Sequence, residues 1–209
     1  LMGHQHAALG AGRTGGQGGG DSAEVALELM PGNKIRKYDT WHAMGQGATT
    51  GSLVVTLEAL KEMHLTPEDI QLIQNDTKTC PDTGMAGASR SLYMDGNATI
   101  IAANKLLAAM RKEDGTLRTY DEMKAEGIET KYLGRYETNT TPGLCRLDPN
   151  TGIGDPTPAF TYCLNLAEVE VDTKTGKTTV LKFTCVDFVG RIGNIDAVNG
   201  QAYSGIMHG

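Results

Sequence analysis

Gly84-Met85-Ala86-Gly87-Ala88-Ser89-Arg90 leads into Ser89–Met110, the longest stretch of helical periodicity in the chain, with Ile100, Ile101, Leu106, Leu107 and Met110 at helical spacing. Small residues ahead of a helix leave several backbone N–H groups free to converge on one anion, and the positive end of the helix adds to the same spot. Gly and Ala also permit close helix packing, and Ser89 reads equally as an N-cap. A second small-residue turn, Ala43-Met44-Gly45-Gln46-Gly47-Ala48, likewise precedes a helical pattern, with Leu53, Val54, Leu57, Leu60 and Met63 in register. Gln46 between two glycines offers an unshielded amide. Two such cradles point to a large, phosphate-bearing ligand.

Outward from these turns, Ala23–Met30 alternates apolar and polar residues as a strand, Pro31-Gly32-Asn33 turns the chain, and Lys34–Tyr38 reads as a second strand. Thr66-Pro67-Glu68-Asp69 opens a turn before a brief strand at Ile70–Gln74, and Thr119 caps a short helix at Tyr120–Glu126. Further on, Phe160–Val171 and Thr178–Val189 read as long strands about the turn Asp172–Gly176. The apolar residues of the first are even-numbered from Phe160 to Leu166 and odd-numbered at Val169 and Val171, which implies a bulge near Ala167. Glu168 and Glu170 are read as solvated, on opposite faces of the strand. Ala197–Gly209 begins another helix. The pattern divides into a Gly-rich loop over 1–20, a first α+β unit over 21–112 and a hairpin-containing unit over 113–209.

Composition sets limits. The 209 residues are 39% apolar and 21% charged, as in an ordinary globular protein, but Gly reaches 27 and aromatics only 5%. A net charge of −6 without a basic cluster argues against nucleic acid and anionic membrane as partners. No apolar run approaches a membrane span and no leader precedes a cleavage site, so a soluble, cytoplasmic protein is expected. Cys80, Cys145, Cys163 and Cys185 show no CxxC spacing, which speaks against zinc and iron–sulfur sites; Cys163 and Cys185 read as buried small hydrophobes in a reduced protein. Both ends break off mid-pattern, and a segment of a larger protein is expected.

Two familiar motifs fail on context. Gly10-Ala-Gly-Arg-Thr-Gly15 fits GxGxxG, but a polar His-Gln-His precedes it and more glycine follows where a helix should start. Thr175-Gly-Lys-Thr178 lacks the upstream Gly of a P-loop, since Val171 stands there, and reads as a hairpin turn. No GxSxG occurs and no His sits in Ser/His/Asp order, so hydrolase chemistry has no support.

Three segments together carry a family resemblance: Asp39-Thr-Trp41-His42-Ala-Met44-Gly45-Gln46-Gly47, then Asn75-Asp76-Thr77, then Cys80-Pro-Asp-Thr-Gly84-Met-Ala-Gly-Ala-Ser89-Arg90. This order resembles the molybdopterin-binding domain of the xanthine dehydrogenase/aldehyde oxidoreductase family. Ala167-Glu-Val-Glu-Val-Asp172 through Gly176, and Asn194 to Gln201-Ala-Tyr-Ser-Gly205, are similar in the same sequence order, and Trp41-His42 is closest in flavour to the bacterial aldehyde oxidoreductases. The resemblance implies an α+β domain in two halves, with mixed sheets and packed helices around a molybdenum-bearing pyranopterin, usually the cytosine dinucleotide form in bacteria. It implies that Gly45, Gln46 and Gly47 touch the pterin end. Ala86, Gly87, Ala88, Ser89 and Arg90 would cradle the pterin or its phosphates, with Gln201 approaching from a third side.

It further implies iron–sulfur centres, and FAD in some assemblies, on other parts of the parent enzyme, with those parts and a small-molecule substrate as partners; oligomerisation is left open. The family's catalytic Glu follows a Gly-Val/Ile-Gly turn much further along, whereas this chain has Arg191-Ile192-Gly193-Asn194, so no catalytic residue and no protein-derived metal ligand is assigned. The competing reading is a scaffold or interaction subunit that keeps the fold without the cofactor. His42 reads as structural or as pocket lining, and Trp41 as a packing residue.

Overall fold

The computed structural model describes residues 21–87, 90–138, 148, 150–154 and 161–208. The Gly-rich segment 1–20, Ala88, Ser89, Cys145 and Phe160 lie outside the described residues. Strand β1 (Ser22–Met30) buries Ala23, Val25, Leu27 and Leu29 on one face, the period-two pattern legible in the sequence. Pro31–Asn33 forms a tight turn, with Gly32 at φ 74° and Asn33 at φ 58°, and returns the chain as β2 (Lys34–Asp39) antiparallel to β1. Helix α1 (Ala48–Ala59) carries the chain across to β3 (Ile70–Gln74), which pairs parallel with β2. The β3 entry is set by a capping box between Thr66 and Asp69.

Helix α2 (Ser91–Met110) lies across this sheet and buries Asp95, Ala98, Thr99, Ala102, Ala103, Leu106, Leu107 and Met110, the i, i+3, i+4 stripe of a helix seated on a core. Leu27, Leu29, Ile35, Leu60 and Met123 fill the same core, Met123 from the short helix α3 (Tyr120–Ala125), whose Thr119 makes the expected cap with Glu122. Strand β4 (Lys131–Glu137) then pairs antiparallel with the free edge of β1, giving the order β3-β2-β1-β4. This strand was not anticipated, and it joins residues 131–137 to the sheet that β1 begins. Its inner face is Gly134, because a Cβ there would stand 2.0 Å from Ala98 O and 2.6 Å from Ala102 N.

The hairpin of β5 (Tyr162–Val171) and β6 (Thr178–Phe188) forms a separate two-stranded sheet, turned at Gly176 with φ 75°. Its register does slip, between Glu168 and Val169, but the extra residue is Leu181 on β6, and β5 runs on unbroken. Apolar side chains therefore change face along the hairpin: Tyr162, Leu164, Leu166, Val186 and Phe188 share one face near its open end, and Val169, Val171, Val180 and Phe183 share the other near its turn. All nine are exposed. Two strands with uncovered apolar surface need a further layer. Two expectations are corrected here. Cys163 is exposed and Cys185 only half-buried, and Glu168 and Glu170, two residues apart on one strand, share an exposed face. Helix α4 (Ile195–His208) follows, with no buried residue. No helix among the described residues is long and apolar enough to cross a membrane. The architecture is α+β, as expected.

Candidate functional site

The first small-residue turn leaves β2 at Asp39 and ends where α1 begins. Gly45 has φ 97° and Gly47, the N-terminal cap of α1, has φ 85°. A Cβ added at either would meet nothing within 4 Å, so glycine is required for its backbone conformation and not for lack of room. The cap lends no side-chain acceptor and the first turn of α1 carries no carboxylate, which leaves the positive end of the helix uncompensated. Met44 and Gly45 are exposed and Gln46 and Gly47 half-buried.

Gln46 does not stand free, as its two glycines had suggested. Its Nε2 donates to His42 O at 2.8 Å and its Oε1 accepts from Met44 N, so the amide first closes its own turn. One N–H and one lone pair remain for a ligand. His42 itself is exposed, while Trp41 is 3% exposed with Lys37 Nζ 5.9 Å from its ring centre, a packing residue as expected.

The second turn rises beside the first. Gly84 has φ 79°, and a Cβ there would lie 2.9 Å from both terminal nitrogens of Arg90. At Gly87 a Cβ would come within 2.6 Å of Met85 Cε. Arg90 caps α2 and is 3% exposed. Its Nε and one Nη2 hydrogen grip Asp21, the second Nη2 hydrogen goes to Ser22 O at 3.0 Å, and Nη1 donates to Thr83 O at 3.1 Å and Met85 O at 2.6 Å. All five N–H donors of the guanidinium are engaged inside the protein. The anion-binding role expected of Arg90 has no donor left to serve it; the side chain is the pin that fastens the turn to the start of β1. Asp21, the partner that decides this, sits far away in sequence. Ala86 and Gly87 remain half-buried at the top of the turn.

The roots of the two turns are bonded to each other. Thr40 N donates to Thr83 Oγ1 and Thr83 N donates to Thr40 Oγ1, both at 2.9 Å, while Thr83 Oγ1 donates on to Glu24 O at 2.9 Å. Gln201 lies exposed on α4, and no hydrogen bond or ion pair among the described residues joins α4 to either turn. The structure brings together two of the three expected elements. Among the described residues no group of three His, Cys, Asp or Glu could hold a metal.

Beneath the turns lies a charged cluster that sequence reasoning missed. Lys37, Asp39 and Asp95 are each fully buried. Lys37 Nζ reaches Asp95 Oδ2 at 2.7 Å and Asp39 Oδ2 at 3.3 Å. Asp39 accepts in addition from Ser52 Oγ at 2.7 Å, Gln74 Nε2 at 2.8 Å and Trp41 N at 3.3 Å. Asp95 Oδ1 meets no donor among the described residues. Burial pushes the Asp95 carboxyl up to about 6; Lys37 works against that rise and Asp39 adds to it. A signal for part of this existed: Ile35, Lys37 and Asp39 alternate along β2, so a strand that buries Ile35 must also turn Lys37 and Asp39 inward.

Residues 5–209 match the family model for a molybdopterin cofactor-binding domain. The chain is 38% identical over 194 residues to the aldehyde oxidoreductase of Megalodesulfovibrio gigas, covering 93% of this chain and 21% of that protein. It is 27% identical to the carbon monoxide dehydrogenase large chain of Hydrogenophaga pseudoflava, covering 90% of this chain and 25% of that protein. Among solved structures, the aldehyde oxidoreductase of Desulfovibrio desulfuricans superimposes with a TM-score of 0.82 at 41% identity, over 90% of this chain and 20% of that one. The chain thus spans a fifth to a quarter of the length of these relatives. With two glycine turns set at the starts of α1 and α2 on a mixed sheet, it belongs to the molybdopterin-binding domains of the xanthine dehydrogenase/aldehyde oxidoreductase family.

Proposed function

We propose that this chain supplies two loops of the cofactor site in an enzyme that hydroxylates aldehydes, or N-heterocycles, with oxygen taken from water. The observation that carries this reading is the pair of turns joined at Thr40 and Thr83, each placed at the start of a helix with no side-chain cap bond and no acidic residue in its first turn. Such a site suits a ligand rich in phosphate and ring acceptors: backbone N–H groups and the remaining Gln46 N–H can donate, and no side-chain carboxylate stands in either first turn to repel it. The donor set fits molybdopterin, and the cytosine dinucleotide form offers a second phosphate for the second turn. When bound, the cofactor supplies the redox chemistry and the oxygen transfer.

The residues of this chain bind and orient. Gly45 and Gly47 hold the backbone in the left-handed region so that the start of α1 is presented open, and Gln46 sets the shape of that turn before it touches the ligand. Ala86 and Gly87, with Ala88 and Ser89, offer the second set of N–H groups, while Arg90 fixes their base. Gln201 closes a third side once the rest of the enzyme positions α4. The base, the iron–sulfur centres and any FAD belong to other parts of a cytoplasmic parent protein, and the uncovered apolar faces of the β5–β6 hairpin are where those parts pack.

Gln46→Ala in the full-length enzyme tests this reading. Losing one ligand bond and both turn-closing bonds should lower aldehyde turnover by about 100-fold, roughly 3 kcal/mol, while leaving the melting temperature nearly unchanged because the turn is exposed. Equal turnover in the variant would reject the assignment. Molybdenum and pterin analysis of the wild-type enzyme separates it from a cofactor-free scaffold, for which no metal would be found.

A further inference from the structure

Both helices that start at the glycine turns are moored to the end of β2. Ser52, in the second turn of α1, donates to Asp39. Asp95, in the second turn of α2, accepts from Lys37. Asp39 also holds Trp41 N at the entrance of the first turn, and the neighbouring Thr40 holds Thr83 at the base of the second. Asn75 N, just past β3, closes on Asp39 O at 3.1 Å, so the same residue fixes a third element. From these contacts we infer that Asp39 and Thr40 are positioning residues that set the separation between the two turns, and so decide that one ligand can bridge both. This rests on the reading of the turns as cofactor loops.

The chemistry of the cluster favours positioning over stability. A buried charge group adds little net stability against an apolar core of equal volume, because desolvation offsets the attraction. What it adds is direction. Each oxygen of Asp39 takes two donors, at fixed angles, from four different places: Lys37 on its own strand, Gln74 on β3, Trp41 at the loop and Ser52 on α1. An apolar side chain could fill the space but could not specify those four bearings. The reciprocal threonine pair does the same across the gap, since both hydroxyls accept a backbone N–H whose position is otherwise free in a loop.

Thr40→Val and Asp39→Asn in the full-length enzyme test this. Both are close in volume, and Asp39→Asn leaves Lys37 balanced by Asp95, so neither should prevent folding. Hydrogen exchange, measured on the cofactor-free enzyme, is the main readout. Exchange at Thr83 should rise about tenfold in Thr40→Val, which removes the acceptor of that N–H, and exchange at Trp41 should rise in Asp39→Asn, which leaves one acceptor oxygen for four donors that now share two. Amides of Leu27 and Leu29 in β1 and of Leu106 and Leu107 in α2 should not change. Thr40→Ser, which keeps the hydroxyl, should restore wild-type exchange. Unchanged exchange at the turns, or an equal rise throughout β1 and α2, would overturn the proposal. Pterin content of the purified variants is the second readout and should fall several-fold. Local loosening with full pterin content would support the positioning role and overturn the assignment of these turns to the cofactor.

Discussion

Replacing Lys37 with Met should destabilise the chain by about 4 kcal/mol near neutral pH, because it strands two buried carboxylates without their cation. Met matches the length of the lysine stem, so the loss comes from charge and not from a cavity. The penalty should depend on pH in a direction that follows from Asp95. Its folded carboxyl titrates at about 6, above the ordinary 3.8. A raised value means that the protonated form favours folding; that contribution is complete below about pH 4 and fades as pH rises through about 6. Without Lys37 the carboxyl holds its proton to still higher pH. The variant should therefore lie closest to wild type near about pH 5, where Asp95 is neutral, and farthest from it near about pH 8. Urea denaturation followed by the emission of Trp41, the chain's sole tryptophan, reports directly, as the ring sits beside the missing ammonium. A loss independent of pH would show that Asp95 is not the group being relieved.

Gly134→Ala should be comparably damaging for a purely steric reason. The new methyl group would stand 2.0 Å from Ala98 O and 2.6 Å from Ala102 N, both atoms of a helix backbone that cannot rotate aside. Helix α2 would have to lift from β1 and β4, loosening the packing of Met94 and Ala98 on Ala23 and Val25. About 3 kcal/mol or more is expected, at the upper end for added volume in a packed interior. Gly45→Ala is the control: it meets open space and should cost only about 1 kcal/mol, for backbone strain at positive φ. Similar losses in thermal unfolding for the two substitutions would refute the close-contact explanation.

The contrast between these glycines also shows what was legible in the sequence. Where the pattern is periodic, as in β1 and the second half of α2, local physics and the final packing agree; α1 departs, burying Gly51, Ser52 and Thr56 while Leu53, Val54 and Leu57 are half-buried. Strand β4 escaped notice because Lys131-Tyr-Leu-Gly-Arg-Tyr-Glu137 shows no clean apolar alternation: its only buried position is a glycine, chosen by a helix that passes over it. Arg90 was legible as important but not as to why, since its partner Asp21 lies at the far end of the first unit. The bulge was inferred from β5 alone, where the apolar register changes, but the inserted residue sits on the opposite strand, and only pairing reveals that. The cluster at Lys37, with the donors that complete it, joins residues from four elements, β2, α2, α1 and β3, and of its members only the Lys37–Asp39 alternation is written locally. The two glycine turns could be found because positive φ leaves a mark in composition. Their mutual attachment through two threonines leaves none.

The strand order bears on how the chain assembles. Met30 meets Lys34 across a turn of three residues, whereas Ser22 meets Glu137 in the last strand of the same sheet. During synthesis, β1, β2, α1 and β3 can therefore form before the other edge of β1 has anything to pair with, and loop closure makes that last pairing slow. The foundations of both glycine turns are laid in this early intermediate, while β1 still presents an open edge. An open edge of this kind is a template for the wrong strand. Pulse-labelled refolding should find the β4 amides protected last, and protection of β4 together with β2 would contradict this order. The arrival of Gly134 under Ala98 then acts as the latch: it ends the vulnerable interval and commits a scaffold that was already shaped to hold its ligand.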